Sequence, residues 1–369
     1  MIGWVAVICL AQAEGEDDVF TPPKHVDACP KECAPCKEAV KGALEYLAKT
    51  QREDGSWEVK MIAYQMYGNA GEIPTAVTAA LCLLATHKEA VRKTRDYVIK
   101  KMKDSDLFRT EPPKGGMMRN WHLAYALILM TELHAREKDE TTSTAIKQLV
   151  SALEKSQEKA GGWKHGLGQS YRDILITTVL CLSALTSART LKFEVAEGTF
   201  DKGKAYIRAC LAKDGKIAYS PDFNRDVRNG DEARAAAVSY LFKRWGWTSE
   251  EVYKKAKAYA RANPKEIPGH SLHTSGLSNL FGGLDVWIHK EWGDYWKLIR
   301  DDLHEVRRSD GHFRWQRKWD NAYQLDGRIG FAWVTSNYLL FMMIPSSNLL
   351  LMQGVSTGKT GEPSESKEY

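Results

Sequence analysis

The 369-residue sequence has little excess of either charge and few long apolar stretches without polar interruption. Its 52 basic and 47 acidic side chains leave a net charge of +5, and the Lys-rich pieces 100–103 and 254–257 fall on helix faces where solvated charge is ordinary. No basic stripe remains, which argues against nucleic-acid binding. The uncharged stretch 331–352 contains Ser, Asn and Pro. We therefore interpret it as a buried helix and expect no transmembrane span.

The N-terminus also lacks charge. Residues 1–13 are apolar and end in an Ala-x-Ala pattern before the acidic segment 14–18, which is typical of a signal peptide; the alternative is an apolar N-terminus without that role. We therefore expect an exported protein, periplasmic or secreted. The tail 353–369 is rich in Gly, Ser, Glu and Lys and is predicted to be disordered. This leaves 14–35 as a Cys-containing N-terminal segment and 36–352 as one folded domain.

The sequence contains a repeated helix and turn. The segment 42–57 has apolar residues at helical spacing and ends in Gln-x-x-x-Gly-x-Trp at 51–57, and the same pattern returns at 157–163. Degenerate copies follow at Gly215 and Gly311. The intervals between these turns are close to multiples of roughly 50 residues, which is the mark of a repeat architecture.

Two further turns, without the motif, are predicted at 103–116 and 263–269. Between successive turns lies a second helix that is apolar nearly all round and is therefore buried. The six predicted inner helices are Pro74–Thr86, Asn120–Ala135, Tyr171–Ala184, Asp231–Arg244, Leu272–Ile288 and Phe331–Met343. Six half-exposed outer helices that alternate with six inner ones predict an all-α fold of six hairpins. Closure into a single (α/α)6 toroid buries both ends of the array, whereas a linear solenoid needs caps.

The Gln-x-x-x-Gly-x-Trp segments at 51–57 and 157–163 resemble the QW motif of squalene-hopene and oxidosqualene cyclases. The six-pair layout is similar to that of protein prenyltransferase beta subunits, and the resemblance covers residues 36–345. It implies an α/α toroid of the prenyltransferase, squalene oxidase repeat and terpenoid cyclase-like group. It further implies a central cavity that binds an apolar or isoprenoid-like ligand.

The catalytic motifs of that group are missing. The sequence has no Asp-x-Asp-Asp acid of the cyclases and no Asp-x-Cys pair of the prenyltransferase zinc site, although 273–278 faintly resembles the segment that carries the zinc-binding His. The resemblance therefore implies ligand binding more than isoprenoid chemistry. The sequence identifies no cofactor.

Polar residues at the N-terminal ends of the predicted inner helices are the candidates for a site, because these helices line the centre of a toroid. The candidate catalytic residues are Asp173, Asp231, Glu232 and His273. The candidate ligand-binding residues are Asn120, His122, Tyr125, Arg172, Arg234, His270, Thr335 and Asn337. Helix capping and the helix dipole would also explain the acidic residues without a catalytic role. With Arg234, the helix N-termini favour a polar or anionic head on the ligand.

Two other classes of function remain open. A glycan-processing α/α-toroid enzyme, a hydrolase or lyase, needs two carboxylates beside the bond that breaks. Asp173 with Asp231 or Glu232 would supply them. A non-catalytic protein-interaction scaffold would instead have a filled cavity and an exposed apolar rim.

A cluster of metal-ligand residues precedes the first outer helix. His25, Cys29, Cys33 and Cys36 lie within twelve residues. Because an exported protein meets an oxidising compartment, one disulfide among the three cysteines is the favoured interpretation. The alternatives are a tetrahedral zinc site formed by all four residues and thiols without a role.

Overall fold

The fold is described from a computed structural model of the chain. The described residues are 33–60, 71–104, 118–166, 172–221, 232–269, 274–316, 318–319 and 325–353. Within them the chain is helical, and its β pairing is limited to isolated bridges such as Trp163 with Ile174. None of these helices combines the length and the apolar composition needed to cross a membrane.

The helices fall into an outer and an inner layer. The outer helices are α1 Ala34–Thr50, α3 Lys88–Asp104, α5 Glu140–Lys155, α7 Glu197–Ala209, α9 Glu251–Ala262 and α11 Trp292–Glu305. The inner helices are α2 Glu72–Leu83, α4 Arg119–Arg136, α6 Leu175–Thr190, α8 Glu232–Arg244, α10 Ser275–Ile288 and α13 Phe331–Met343. A short helix, α12 Leu325–Ile329, and the 3-10 turns Pro264–Glu266, Ile344–Ser346 and Leu350–Met352 complete the described elements.

The six inner helices form a closed ring. Helix α2 packs on α4, α4 on α6, α6 on α8, α8 on α10 and α10 on α13, and α13 returns to α2. The contact between α13 and α2 joins the last hairpin to the first, so the array has no free end and needs no caps. The predicted all-α toroid of six hairpins is confirmed.

Composition explains the two layers. In the inner helix α6, every residue from Leu175 to Ala188 is buried, as expected for a helix that is apolar all round. In the outer helix α5, the buried residues Ile146, Leu149 and Leu153 recur on one face. Helix α6 begins later than predicted, at Leu175, because Ile174 is extended and pairs with Trp163.

The Gln-x-x-x-Gly-x-Trp motif fastens neighbouring outer helices together. The Gln157 side-chain amide donates to Gly161 O and to Thr199 O of α7, both at 2.9 Å. The Trp163 indole donates to Leu153 O of its own helix α5 at 2.9 Å. The copy at 51–57 makes the corresponding bonds. The motif is therefore structural.

The turn glycines touch the next outer helix along the ring. Gly161 has φ +96°, and a Cβ placed on it would lie 2.2 Å from Lys202 O of α7. Gly311 has φ +94°, and its Cβ would lie 2.2 Å from Gly42 O of α1. Only Gly combines that backbone with so close an approach. The contact between Gly311 and Gly42 closes the outer layer as α13 and α2 close the inner one.

The C-terminal segment 344–353 covers the end of the ring at which the inner helices finish. The Arg244 guanidinium, at the end of α8, donates to Ser183 O at 3.0 Å and to Leu350 O at 2.8 Å. The buried Glu132 carboxylate accepts from Leu350 N at 2.6 Å. Tyr240 donates to a neighbouring carbonyl of the same segment. With this end covered, a site has to lie at the opposite end.

Candidate active site

The inner helices all begin at the same end of the ring, which we call the mouth. The start of one inner helix bonds to the loop that leads into the next. Asn120 N in α4 donates to His165 O ahead of α6, and Leu175 N in α6 donates to Tyr219 O ahead of α8, each at 2.9 Å. The predicted candidates at inner-helix N-termini therefore share one end of the molecule.

Two aromatic rings meet inside the ring of helices near the mouth. Tyr125 of α4 and Trp333 of α13 lie edge to face with centroids 6.3 Å apart. Since α2 lies between α4 and α13 in the ring, this contact crosses the interior. We call the pair the floor. The Trp333 indole also donates to Asp326 Oδ1 at 2.8 Å.

Asp326 is a buried carboxyl that organises the start of α10. Its Oδ2 accepts from Ser275 N at 2.7 Å and Gly276 N at 3.3 Å, and also from the Ser275 hydroxyl. Burial raises its pKa, against the opposing effect of these hydrogen bonds. Both oxygens are engaged, so Asp326 positions α10 and the floor. The sequence analysis missed it because its partners on α10 lie fifty residues away.

Several of the buried polar atoms without a protein partner lie in the first two turns of the inner helices. Among them are Thr75 Oγ1, Asn120 Oδ1, Tyr125 Oη, Thr177 Oγ1, Asn279 Oδ1 and Asn337 Oδ1. Burying a polar group without a hydrogen bond costs about 1–3 kcal/mol. For Tyr125, burial and the nearby Asp326 charge raise the hydroxyl pKa, so this group stays protonated. The starts of the inner helices therefore hold several buried polar groups that no protein group satisfies.

Glu232 is the most unusual of the predicted candidates. It is the first residue of α8, its exposed fraction is 6%, and its side chain makes no hydrogen bond or ion pair within the described part of the chain. An acidic side chain at a helix N-terminus is also stabilised by the helix dipole, which is a structural reason for a Glu at this position. A carboxylate that no described protein group engages is in addition a candidate for contacting a ligand.

Asp173 lies at the mouth on the neighbouring hairpin, since α6 packs on α8. The Tyr206 hydroxyl donates to Asp173 O at 2.7 Å and holds the backbone. Its side-chain Oδ2 is buried without a protein partner. Burial, and then the Glu158 charge, raise the pKa of this carboxyl. Asp173 and Glu232 therefore form a pair of carboxyls at the same end of adjacent hairpins.

Other predicted candidates hold the fold at the mouth. Arg234 Nε donates to Ile217 O at 2.8 Å and anchors the turn ahead of α8. Thr335 Oγ1 accepts from Phe313 N at 2.9 Å and anchors the last motif turn. The Asn337 amide donates to its own helix, although its Oδ1 stays without a protein partner.

Of the remaining predicted residues, two lie in the described part of the chain and the others lie outside it. His122 is half-buried and Arg172 is exposed, and both lie at the mouth. Asp231, His270 and His273 of the candidate site, and His25 and Cys29 of the metal cluster, lie outside the described residues.

His165 is a buried mouth residue that the sequence analysis overlooked. Its Nδ1 accepts from the Trp121 indole at 2.8 Å, and the two rings stack with centroids 6.0 Å apart. Burial lowers its pKa to about 4, so the ring is neutral at pH 7. His165 follows Trp163 of the motif by two residues, and it belongs to no repeated pattern that would have drawn attention to it in the sequence.

No three His, Cys, Asp or Glu side chains in the described ranges are grouped so as to hold a metal ion. Cys33 and Cys36 are buried at the start of α1, far along the chain from the mouth residues. Whether they form a disulfide with Cys29 stays a prediction.

These features define the class: an α/α toroid with one covered end and a polar mouth that carries two carboxyls. The chain belongs to the family described as "Domain of unknown function (DUF6288)", whose model matches residues 37–352. Among curated proteins, none matches the sequence.

Several solved structures share the fold. Unsaturated glucuronyl hydrolase from Bacillus sp. GL1, described as responsible for the degradation of glycosaminoglycan, has a TM-score of 0.60 and 13% identity, over 86% of this chain and 99% of that chain. An inactive variant of alpha-1,6-mannanase of Salegentibacter sp. HEL1_6, in complex with alpha-1,6-mannotetrose, has a TM-score of 0.55 and 9% identity, over 83% of this chain and 97% of that chain. An unsaturated glucuronyl hydrolase specific for heparin has a TM-score of 0.55 and 12% identity, over 85% of this chain and 98% of that chain.

These comparisons correct the resemblance drawn from the motif. The identification with prenyltransferase, squalene oxidase repeat and terpenoid cyclase-like proteins is wrong, because the similar structures are glycoside hydrolase toroids. The physical reason lies in Gln157 and Trp163, which bond to backbone carbonyls of outer helices. That contact serves any toroid and carries no information about the ligand. The apolar central ligand implied by the resemblance loses its support with it.

Proposed function

We propose that this protein is a glycan-processing enzyme with its active site at the mouth of the toroid. The observation that carries the proposal is Glu232, a residue with an exposed fraction of 6% that begins an inner helix and makes no hydrogen bond or ion pair among the described residues. The fold likeness to a glucuronyl hydrolase and a mannanase supports the substrate class. Export, expected from residues 1–13, is part of the proposal, since it would give access to extracellular glycans.

The polar lining favours a sugar over an apolar ligand. A sugar has hydroxyl groups around its ring that donate and accept hydrogen bonds, which suits the partnerless oxygens of Thr177, Asn279 and Asn337. An isoprenoid would leave each of them unsatisfied, at about 1–3 kcal/mol each. The edge-to-face pair of Tyr125 and Trp333, each 2% exposed, forms part of the packed interior near the mouth.

The two carboxyls suit opposite roles. Burial and the Glu158 charge raise the pKa of the Asp173 carboxyl, which is the direction that a general acid for the leaving oxygen of a glycosidic bond needs. Glu232, which no described protein group engages, would act as the carboxylate that activates water or attacks the sugar.

The scaffold alternative has no such support. Leu298 is the one large hydrophobic side chain that is exposed in the described part of the chain. A protein-interaction rim would present a contiguous apolar patch. The described surface therefore has no apolar rim of the kind that a protein-interaction scaffold would use.

The test uses one substitution at two matched positions. Glu232→Gln changes the first residue of the inner helix α8, and Glu251→Gln changes the first residue of the outer helix α9, which is exposed. The substrates are a panel of α-1,6-manno-oligosaccharides and unsaturated glucuronyl oligosaccharides, and cleavage is followed by product chromatography. We expect Glu232→Gln to lower cleavage at least about 100-fold and Glu251→Gln to leave it unchanged.

Stability separates a catalytic role from a structural one. Because Glu232 makes no hydrogen bond or ion pair among the described residues, Glu232→Gln should leave the free energy of unfolding about the same. If no member of the panel is cleaved by the parent protein, or if Glu232→Gln cleaves as well as the parent, the proposal is wrong.

A further inference from the structure

The turn at Gly161 differs from the other three turns that carry the motif or a degenerate copy of it. In the turns at Gly55, Gly215 and Gly311 the residue before the glycine is an aspartate: Asp54, Asp214 and Asp310. Each of these carboxylates accepts from the backbone N–H of the residue after the glycine, at 3.0, 3.2 and 3.1 Å. In the turn at Gly161 the corresponding residue is Ala160. The N–H of Gly162 therefore has no such carboxylate within its own turn.

The Gly162 N–H donates to the Asp173 carboxyl instead. The missing side chain at 162 makes room for this contact, because a Cβ there would lie 2.8 Å from Asp173 Cβ. At the same position the other three turns have Ser56, Lys216 and His312. The second turn thus differs from the others at two positions, and both differences bring Asp173 against its backbone.

Hydrogen bonds on either side hold the Asp173 backbone at this turn. Ile174 N donates to Trp163 O at 3.0 Å. The Tyr206 hydroxyl of α7 donates to Asp173 O at 2.7 Å. The Tyr206 ring is 3% exposed and lies so close that a Cβ on Gly162 would be 2.8 Å from it. Asp173 is therefore fixed between the motif turn and the next outer helix.

Two charged residues of the turn act on the Asp173 carboxyl. Burial raises its pKa most, the Glu158 charge raises it further, and the Lys164 charge lowers it. Glu158 and Lys164 also form an ion pair at 3.5 Å. In the first copy of the motif the position of Glu158 is taken by Arg52. A like charge beside a carboxyl favours its protonated form, so the second turn supplies what the first does not.

The neighbouring helices place mainly protonated neutral groups behind Asp173. Burial raises the pKa of Tyr206 and of Cys210, both of α7 or its C-terminal end, and the two side chains hydrogen-bond each other. From α8, the Arg234 charge acts on Cys210.

We propose that the second motif turn is adapted to hold the Asp173 carboxyl as a proton donor at the mouth, with Gly162, Glu158 and Tyr206 as positioning residues. The use of that proton rests on the proposed function. As the glycosidic C–O bond breaks, its electron pair goes to the leaving oxygen, which takes the proton from Asp173, while the sugar carbon takes an oxygen from water or from Glu232. The Glu158 charge favours the protonated form before this step, and the Gly162 N–H stabilises the carboxylate after it.

The experiment changes the turn in two opposite directions. Ala160→Asp introduces the aspartate of the other three turns, so it suits this turn geometry, and it should draw the Gly162 N–H away from Asp173 and add a like charge. Glu158→Gln removes a like charge. Aspartate carboxyls of the full chain are labelled with ¹³C and titrated by NMR, and the Asp173 signal is assigned by its loss in Asp173→Asn.

We expect the measured pKa of Asp173 to rise in Ala160→Asp and to fall in Glu158→Gln, each by at least about 0.5. Asp54→Ala, the reverse change in the first turn, is the matched control and should leave the Asp173 titration as in the parent. The proposal is overturned if Ala160→Asp and Glu158→Gln also titrate as the parent does.

Cleavage kinetics give a second measurement. A general acid is lost as pH rises through its pKa, so the alkaline limb of the pH profile should move up in Ala160→Asp and down in Glu158→Gln. Tyr206→Phe keeps the ring but releases Asp173 O, and should lower kcat at least about tenfold with KM within about twofold. If both titrations shift in a protein that cleaves no glycan, the adapted turn is supported and the proposed function is refuted, so the two failures are distinguishable.

Discussion

Replacing Gly311 by Ala tests how the ring closes. Gly311 follows the last outer helix and has φ +94°, and a Cβ there would lie 2.2 Å from Gly42 O in the first outer helix. The atom in the way is backbone, so no side chain can turn aside. The two helices must separate, or the turn must change its conformation.

The cost has two parts, and the chain offers a control for each. A left-handed backbone costs Ala about 1–2 kcal/mol. Gly215→Ala measures this part alone, because Gly215 has φ +89° but its Cβ would lie 3.5 Å from Lys255 O, an ordinary contact. The clash at Gly311 should add about 1–3 kcal/mol more, in the range found for overpacked sites. Gly293→Ala, inside α11 with open space around it, should stabilise by about 0.5–1 kcal/mol.

The assay is urea unfolding followed by helical circular dichroism, with the free energies compared at constant m-value. We expect the order of stability to be Gly293→Ala, parent, Gly215→Ala and then Gly311→Ala. If Gly311→Ala loses no more stability than Gly215→Ala, the contact with Gly42 does not contribute to closure and the reasoning is refuted.

Three further outcomes are expected. Trp163→Phe should lower the free energy of unfolding by about 1–3 kcal/mol, since it leaves the buried Leu153 O without its indole donor; an unchanged urea midpoint would contradict this. Between pH 6.5 and about 4, the free energy of unfolding should fall as pH is lowered, because burial depresses the pKa of His165 to about 4 and in this range the unfolded chain binds a proton that the folded chain does not. His165→Gln should flatten this slope, and an equal slope in both proteins would contradict the role of His165. Arg244→Met should raise amide exchange at Leu350 and its neighbours at least about tenfold by releasing the C-terminal segment, which peptide-level mass spectrometry would detect or exclude.

The hairpin pattern could be predicted because its rules are local. An all-round apolar composition and a left-handed Gly act within a few residues, so helix α13 has the predicted bounds Phe331–Met343 and the turns at Gly161 and Gly311 have positive φ. Because the motif is local as well, it led to the wrong family. Gln157 and Trp163 recur because stacked outer helices need those backbone contacts, and this requirement is independent of what the toroid binds.

The site depended on contacts that only the closed ring creates. The sequence alone placed Glu232 at the N-terminal end of an inner helix, but whether its carboxylate has a partner depends on neighbours from other hairpins. Asp326 and Ser275 are 51 residues apart, and Cys36 and His304 are 268 apart. Such pairs follow no periodic pattern, since each is set by the angle at which whole helices pack. Tertiary structure therefore decided which polar groups have a hydrogen-bond partner and which have none, because those partners come from the assembled interior and not from any one segment of the chain.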